Sequence, residues 1–306
     1  MKRGADRGAR LQKISGLLDW SAFERLLGGF YVSRRGEAAY PALMMFKVLL
    51  LQRWYDLSDP EMEEALWDRL SFRMFSGLSI EDATPDHSTI WRFRERLTKR
   101  GLMNLLLAEL TVQLDGGGFI LKQGTLIDAS IVESAARRPR MKEGKTSQTD
   151  PQARFGTGNQ RGKFSFGYKL HVAVDQVSGL VRALVVTPAN VQEVMLGPGL
   201  IQGDEAVVYA DRGYDAARMR DRLGELGIAN GILRRGTKTK PVSAQEKERN
   251  HALSLKRRPV EKLFGTLKRS YRMDRMRYFN QARNATALSL ACFAYNLRRL
   301  HTLAAP

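Results

Sequence analysis

The 306-residue sequence has few of the residues that build disulfides or zinc sites: one cysteine and four histidines. Cys292 stands in the apolar run LSLACFAYNL, so we expect a core thiol in a reducing compartment, and neither a disulfide framework nor a cysteine-based zinc site. Acidic residues are scarce as well, since 32 Asp and Glu accompany 50 Lys and Arg, which leaves a net charge of +18. That excess predicts a polyanionic partner, most simply nucleic acid, although an anionic membrane surface or ribosomal RNA would also satisfy it.

Long hydrophobic runs are missing too. The longest, LMMFKVLLL, is interrupted by Lys47 and is far too short to span a bilayer, and the start MKRGADRGAR has no apolar segment. These absences predict a cytoplasmic protein with no membrane partner. The hydrophobic content of 43% excludes a disordered basic tail, and the length is enough for two domains.

The N-terminal part of the chain, residues 1–115, is predicted to be helical. Apolar residues recur at helical spacing in LLDWSAFERLL, Pro41 opens a second helix, and a Ser-x-x-Glu pattern at Ser58 opens a third. A fourth helix follows Pro85, and arginines project away from its apolar face: Arg92, Arg94 and Arg96. This pattern fits a helix-turn-helix-like domain for DNA binding and dimerisation, and it fits a helical bundle with a charged outer face equally well.

From about residue 120 to 306 the hydrophobic period changes from 3.6 to 2, which predicts a second domain. TLIDASIVES, SFGYKLHVAVD and GLVRALVVTP are predicted strands, the last two forming a hairpin. A capping-box pattern from Asn190 to Glu193 predicts a helix, and AVVYAD predicts a strand covered on both faces. A helix over 215–227, a strand at IANGIL and two further helices complete a mixed α/β sheet flanked by helices. Their order is similar to that of the ribonuclease H-like fold.

Three stretches of this second domain are strongly basic. Residues 134–163 hold eight Lys or Arg and two acids, which predicts a long flexible insertion that orders over phosphates, or else a solvated loop. Residues 234–250 are predicted to be a basic linker. Residues 251–273 hold seven Lys or Arg and one acid, Glu261, on a helix that is predicted to begin near Pro259.

Three acids stand where their surroundings do not favour a charge. Asp128 lies inside an apolar strand, Asp211 ends the run AVVYAD, and Glu261 is the lone acid of a basic helix. A buried carboxylate costs several kcal/mol, as an order of magnitude, unless a cation compensates it, and hard divalent ions prefer such oxygen ligands. Each acid alone also has an ordinary explanation: a strand-end hydrogen bond for Asp128, a helix cap for Asp211 and dipole compensation for Glu261.

Several stretches together resemble the DDE transposases of bacterial insertion sequences, in particular the related families numbered four and five: LIDAS, GYKLHVAVD, YADRGY and Arg257-x-x-x-Glu261 followed by Lys268. PDHSTIWRFRERL resembles the segment that closes the helical domain of the same group. The resemblance covers about residues 41–300. One departure is Ser254, where the family signature often has a tyrosine, and this puts in doubt only that tyrosine's contact with a phosphate or a base.

What the resemblance implies is a ribonuclease H-like core in which Asp128, Asp211 and Glu261 bind two Mg²⁺ ions per active site, with Mn²⁺ able to substitute. The enzyme would cut double-stranded DNA at terminal inverted repeats and transfer the freed 3′ hydroxyl to target DNA. It would act as a homodimer or higher oligomer on that DNA, in a bacterial cytoplasm beside the nucleoid. The resemblance implies contacts with DNA phosphates for Arg257 and Lys268. Their positions predict further DNA contacts for Arg272 and Lys169.

Two other functions stay open on the sequence. One is a nuclease of the same fold that cuts DNA without strand transfer, which the absence of joined products would identify. The other is a domesticated DNA-binding protein without catalysis, against which the intact set of three acids speaks. A ribosomal or membrane-surface role would have no need for acids placed on strands.

Overall fold

A computed structural model describes residues 10–31, 39–140, 146–157, 164–237, 239 and 241–305. The chain divides into two compact units, one of residues 1–117 with 289–306 and one of residues 118–288. The change of unit near residue 118 falls between the predicted domains 1–115 and 120–306. The structure departs from the predicted division at the last helix, because residues 289–306 belong to the same unit as the N-terminal helices. The Trp54 indole N–H, for example, donates to the Ala294 carbonyl at 2.7 Å.

The first unit is helical. Ser58 begins the third of its helices with the predicted capping box: its hydroxyl accepts from the Glu61 N–H, and the Glu61 carboxylate accepts from the Ser58 N–H. The helices of this unit are α1 (Trp20–Leu27), α2 (Ala42–Tyr55), α3 (Asp59–Asp68), α4 (Leu70–Ser76), α5 (His87–Arg100), α6 (Met103–Gly116) and the later part of α11 (Gln281–Leu303).

Arg94 on α5 does not project from this unit. Its side chain is buried and donates to the Asp59 carboxylate and, at 3.1 Å, to the Gln52 side-chain oxygen. The prediction that Arg94 projects away from the apolar face of the helix is therefore wrong. The physical reason is its spacing, since Ile90, Arg94 and Leu97 lie at i, i+4 and i+7 and share the buried face of the helix.

Replacing Arg94 with methionine should destabilise the helical unit by about 3 kcal/mol, because it leaves the Asp59 carboxylate without its buried partner. Arg92→Met is the matched control, since Arg92 is exposed two residues earlier and should change stability by less than about 0.5 kcal/mol. All four tryptophans belong to this unit, so urea unfolding followed by tryptophan fluorescence reports on it alone. Equal unfolding midpoints for the two variants would contradict the structural role.

The second unit is built on a mixed sheet. Its strands are β1 (Thr125–Glu133), β2 (Arg154–Thr157), β3 (Phe164–Asp175), β4 (Val181–Pro188), β5 (Val207–Ala210) and β6 (Ala229–Ile232). Their order in the sheet is β2-β3-β1-β5-β6. β4 pairs with β3 on the same edge as β2, over a later stretch of β3. β3 is antiparallel to β1, β2 and β4, whereas β1, β5 and β6 run parallel to one another. Antiparallel strands followed by parallel ones in this order confirm the predicted ribonuclease H-like α/β fold.

Helices α7 and α8 contribute to a hydrophobic core with the sheet, through Leu200, Met219 and Leu223. The alternating pattern of β3 indicated one apolar and one polar face. In the structure both faces are buried along nearly the whole strand. The helices of this unit are α7 (Glu193–Leu200), α8 (Ala217–Glu225), α9 (Ala244–Leu255), α10 (Arg258–Ser270) and the start of α11.

The basic insertion 134–163 is partly a structural element. Its residues 154–157 form β2, and the carboxylate of Asp150 is fully buried. That carboxylate accepts from the Ser134 hydroxyl at 2.6 Å, the Tyr168 hydroxyl at 2.5 Å and the Asn280 N–H at 3.1 Å. The prediction of a loop without regular structure is therefore wrong for residues 154–157, and the buried Asp150 with its three donors anchors the residues before them. Residues 134–140 are described and hold no helix or strand, whereas 141–145 and 158–163 lie outside the described residues.

The predicted linker 234–250 contains the start of a helix. Helix α9 begins at Ala244 and is capped by Ser243, whose hydroxyl accepts from the Glu246 N–H while the Glu246 carboxylate accepts from the Ser243 N–H. This Ser-x-x-Glu pattern was present in the sequence and was the signal for the helix. Among the described residues, no helix is both long and apolar enough to cross a membrane.

Candidate active site

Two aspartates are brought together by the pairing of β1 with β5. The two strands are parallel, and Ile127 lies beside Ala210 in their register. Asp128 and Asp211 are each the next residue, so they lie side by side where β5 ends. Ile127 and Ala210 both point into the hydrophobic core, and the alternation of a strand turns Asp128 to the opposite face, where helix α10 packs on β1.

Asp128 is a carboxylate with little exposure to water. One oxygen accepts from the Arg257 guanidinium at 2.5 Å and the other from the Ala129 N–H at 2.8 Å. The pKa of Asp128 is raised to about 6: burial is the main cause and the Asp211 charge adds to it, while Arg257 and the Ala129 N–H oppose the shift. The charged carboxylate therefore depends on a nearby cation, which in this structure is Arg257.

Asp211 caps the 3₁₀ turn that follows β5. One of its carboxylate oxygens accepts from the Gly213 N–H at 2.7 Å, as its predicted capping role requires. This bond fixes the orientation of the carboxylate beside Asp128. The ordinary explanation of Asp211 as a cap and its place next to a second acid are thus both true of the same side chain.

Helix α10 carries the remaining predicted site residues. Arg257 caps its start, Glu261 is exposed in its first turn, and Lys268 is half-buried two turns later. Val260, Leu263 and Leu267 are buried, so the helix packs through them. Arg272 follows the helix with a positive φ of 48° and is exposed. The structure thus brings Arg257 to Asp128 and leaves Glu261 on the outer side of the same helix turn.

The oxygen donors of this site fit a hard divalent cation. Asp128 and Asp211 supply carboxylates at neighbouring positions, and the guanidinium on Asp128 marks where positive charge is favourable. In the part of the chain that the structure describes, no three His, Cys, Asp or Glu side chains are gathered closely enough to hold a metal ion. The two aspartates are therefore assembled, and Glu261 is not within the same cluster.

The Lys169 side chain does not project from a polar face of β3. The Lys169 side chain is largely buried, and its ammonium donates to Glu193 Oε1 at 3.1 Å and to the Val191 carbonyl at 3.2 Å. The Lys169 charge is therefore paired with an acid inside the unit and does not project from the sheet. His171 is fully buried with Nε2 at 2.9 Å from the Thr187 hydroxyl oxygen.

Three residues beside the aspartates were missed by sequence reasoning: Glu193, Gly213 and Tyr214. Glu193 was assigned to a capping box, but the N-cap of α7 is Gln192, and no side chain caps it. Instead the Glu193 carboxylate turns to Lys169 and approaches Gly213. Gly213 and Tyr214 belong to the YADRGY stretch, whose only residue singled out from the pattern was Asp211.

The exposed arginines of the helical unit are Arg92 and Arg96. The Arg96 guanidinium lies 5.2 Å from the centre of the Tyr31 ring and 5.8 Å from that of Phe30. Arg96 is therefore positioned by aromatic neighbours while it stays exposed. Of the three arginines predicted to contact DNA on this helix, these two remain available for it.

A ribonuclease H-like sheet with adjacent aspartates, on a strongly basic chain, is the architecture of an enzyme that processes nucleic acid. Comparison with protein families agrees with this class. Residues 121–297, more than half of the chain, match the family model described as Transposase DDE domain, and residues 2–96 match Transposase domain (DUF772). The chain therefore belongs to the DDE-domain transposases, a family of enzymes that act on DNA and generally use divalent metal ions.

His171 should give the stability of the sheet unit a measurable pH dependence. Burial, and then the Lys169 charge, lowers the pKa of His171 from 6.5 to about 4. Between these pH values the unfolded chain binds a proton that the folded chain does not, so this stabilisation is complete above pH 6.5 and falls by about 3 kcal/mol toward pH 4. His171→Gln should lack this component in urea unfolding followed by circular dichroism. Identical pH slopes for the two proteins would contradict the assignment.

Proposed function

We propose that this transposase binds the terminal inverted repeats of its element, cuts DNA at their ends and transfers the freed 3′ hydroxyl to target DNA. The observation that supports it most is the pair of adjacent carboxylates on β1 and β5, one of them desolvated and held by Arg257. A structural role alone does not require two acids side by side in a sheet, because their mutual repulsion and burial are both unfavourable.

The acids of the reaction are Asp128, Asp211 and Glu261. Two Mg²⁺ or Mn²⁺ ions bound by them would supply activation of water and stabilisation of the leaving oxygen. The chain's own part is to hold Asp128 and Asp211 side by side and to direct Asp211 through the Gly213 N–H. Glu261 lies one helical turn after Arg257, whose side chain already reaches Asp128, so α10 would carry the third acid to the site once the ions are bound.

Positive charge on α10 would bind the DNA backbone next to these acids. Lys268 lies seven positions after Glu261 on the same helix, and Arg272 follows the end of that helix; both are at least partly exposed. Arg257 is bound to Asp128 in this structure. When cations neutralise Asp128, the Arg257 guanidinium would become available to a phosphate. A phosphate suits the bidentate geometry of arginine.

The helical unit would bind the inverted repeats through Arg92 and Arg96. Both are exposed on α5, the helix closed by Lys99 and Arg100 in its last turn. Two DNA ends have to be joined to one target, so we propose that at least two copies of the chain act together in the DNA complex. The net charge of +18 favours assembly on DNA, which neutralises the repulsion between copies.

A cleavage and strand-transfer assay tests the proposed reaction. The full chain is mixed with Mg²⁺ and a plasmid that carries the gene with its own flanking DNA. Breaks at the ends of flanking inverted repeats, with joined products, are expected. Glu261→Gln should lower cleavage by more than about 100-fold, since loss of a metal ligand exceeds the effect of losing a supporting residue, while binding to end DNA stays the same.

Glu248→Gln is the matched control for that variant, because Glu248 is also an exposed glutamate on a helix of the same unit. It should cut and join DNA as the natural sequence does. Cutting without joined products would instead identify a nuclease. Tight binding without cutting, in Mg²⁺ and in Mn²⁺ alike, would identify a DNA-binding protein that has lost the reaction.

Arg92→Ala and Arg96→Ala should each weaken binding to end DNA and lower the slope of log K against log salt by about one, as loss of one phosphate contact does. The slope is measured by fluorescence anisotropy with labelled DNA over a range of salt concentrations. Glu95→Ala on the same helix serves as the control for helix stability. Slopes that stay unchanged in both arginine variants would remove α5 from the DNA interface.

A further inference from the structure

Glu193 is held in a fixed orientation at the start of α7. Its Oε1 accepts from the Lys169 ammonium at 3.1 Å, and the same ammonium is anchored on the Val191 carbonyl. Lys169 is largely buried, so this ion pair has little freedom to move. The other oxygen, Oε2, accepts no hydrogen bond from any residue that the structure describes. An ion pair that only held α7 against β3 would need Oε1 of Glu193 and would give no role to Oε2.

The second oxygen of Glu193 lies near Asp211, on the other side of Gly213. A Cβ atom placed on Gly213 would lie 2.9 Å from Asp211 Oδ1 and 2.9 Å from Glu193 Oε2. The two oxygens are therefore separated by at most twice that distance, and only a residue without a side chain leaves the space between them open. Two carboxylates that approach each other in this way are repulsive unless a cation is shared between them.

Tyr214 carries a buried polar group close enough to these acids for their charge to act on it. Its side chain is fully buried, and its hydroxyl has no hydrogen-bond partner within the described residues. Burial raises the pKa of Tyr214 well above its usual value, and the carboxylates of Glu193, Asp128 and Asp211 raise it further. The hydroxyl thus lies within the field of all three acids. A buried hydroxyl without a partner is unfavourable unless a bound group completes it.

We propose that Glu193 is a fourth acid of the catalytic centre, which holds a divalent cation at Asp211 through Oε2 while Lys169 fixes Oε1. The inference rests on the proposed function, since the cation is that of the transposition reaction. Lys169 orients the carboxylate and offsets part of its charge. Gly213 provides the close approach, and the Tyr214 hydroxyl provides a neutral donor or acceptor for the shell of the ion.

Direct measurement of Mn²⁺ binding tests this role without relying on activity. Free Mn²⁺ is followed by electron paramagnetic resonance as it is titrated into the full chain without DNA. Glu193→Gln should raise the Kd for Mn²⁺ by at least about tenfold, because loss of a ligand costs no less than loss of a residue that supports a metal site. Glu225→Gln is the matched control, since Glu225 is an exposed glutamate on α8, and its Kd should equal that of the natural sequence.

Gly213→Ala tests the geometry with all acids in place. The added methyl group would meet the Asp211 and Glu193 oxygens at 2.9 Å, and the backbone of Gly213 lies outside the left-handed region, so the fold should accept alanine while the carboxylates separate. We expect a rise in Kd of about the same size as for Glu193→Gln. Thermal unfolding without metal checks that each variant is folded. If Glu193→Gln is not folded, the Kd of Gly213→Ala decides whether Glu193 binds the cation.

Asp211→Asn separates failure of this inference from failure of the proposed function. It should lose Mn²⁺ binding at this site. If it does, and Glu193→Gln and Gly213→Ala bind Mn²⁺ as tightly as Glu225→Gln, then Glu193 is not a cation-binding residue and the proposed function stands. If Asp211→Asn binds Mn²⁺ as tightly as the natural sequence, both the site and the role of Glu193 are wrong.

Discussion

The contact between Asp128 and Arg257 is the interaction on which the rest of the site depends. It joins the middle of β1 to the start of α10 across 129 positions of the chain, at 2.5 Å between guanidinium nitrogen and carboxylate oxygen. The burial of Val260, Leu263 and Leu267 then fixes the rotation of the helix about its axis. This single ion pair places the start of the helix that carries Glu261 beside the strand that carries Asp128.

The positive charge of the chain serves two purposes that composition does not distinguish. Arg94, Lys169 and Arg182 are buried and each is paired with an acid, so they hold the fold together. Arg92 is exposed, two residues from Arg94 on the same helix. A buried cation without its acid would be strongly destabilising, whereas an exposed one keeps its charge for an anionic partner. Burial, and not the density of Lys and Arg, therefore identifies candidates for contact with DNA.

The sequence allowed most of the fold and the two central acids to be predicted. Asp128 and Asp211 were found because each interrupts or ends an apolar strand, and the order of strands and helices predicted the sheet. Contacts distant in sequence were not predictable from such patterns. β2 depends on the buried Asp150, and the pairing of Lys169 with Glu193 arises only when α7 packs beside β3. From local patterns, Lys169 was predicted to contact DNA and Glu193 was predicted to cap a helix.

Locating the metal on the polypeptide is the most direct test of the central claim that Asp128 and Asp211 form one cation site. Fe²⁺ takes the place of Mg²⁺ in the full chain, ascorbate and peroxide generate hydroxyl radicals at the bound ion, and mass spectrometry locates the resulting cuts in the backbone. The account predicts cuts close to both residues 128 and 211 that excess Mg²⁺ suppresses and that Asp211→Asn abolishes. Cuts confined to other segments, or cuts near these residues that persist in excess Mg²⁺, would contradict it.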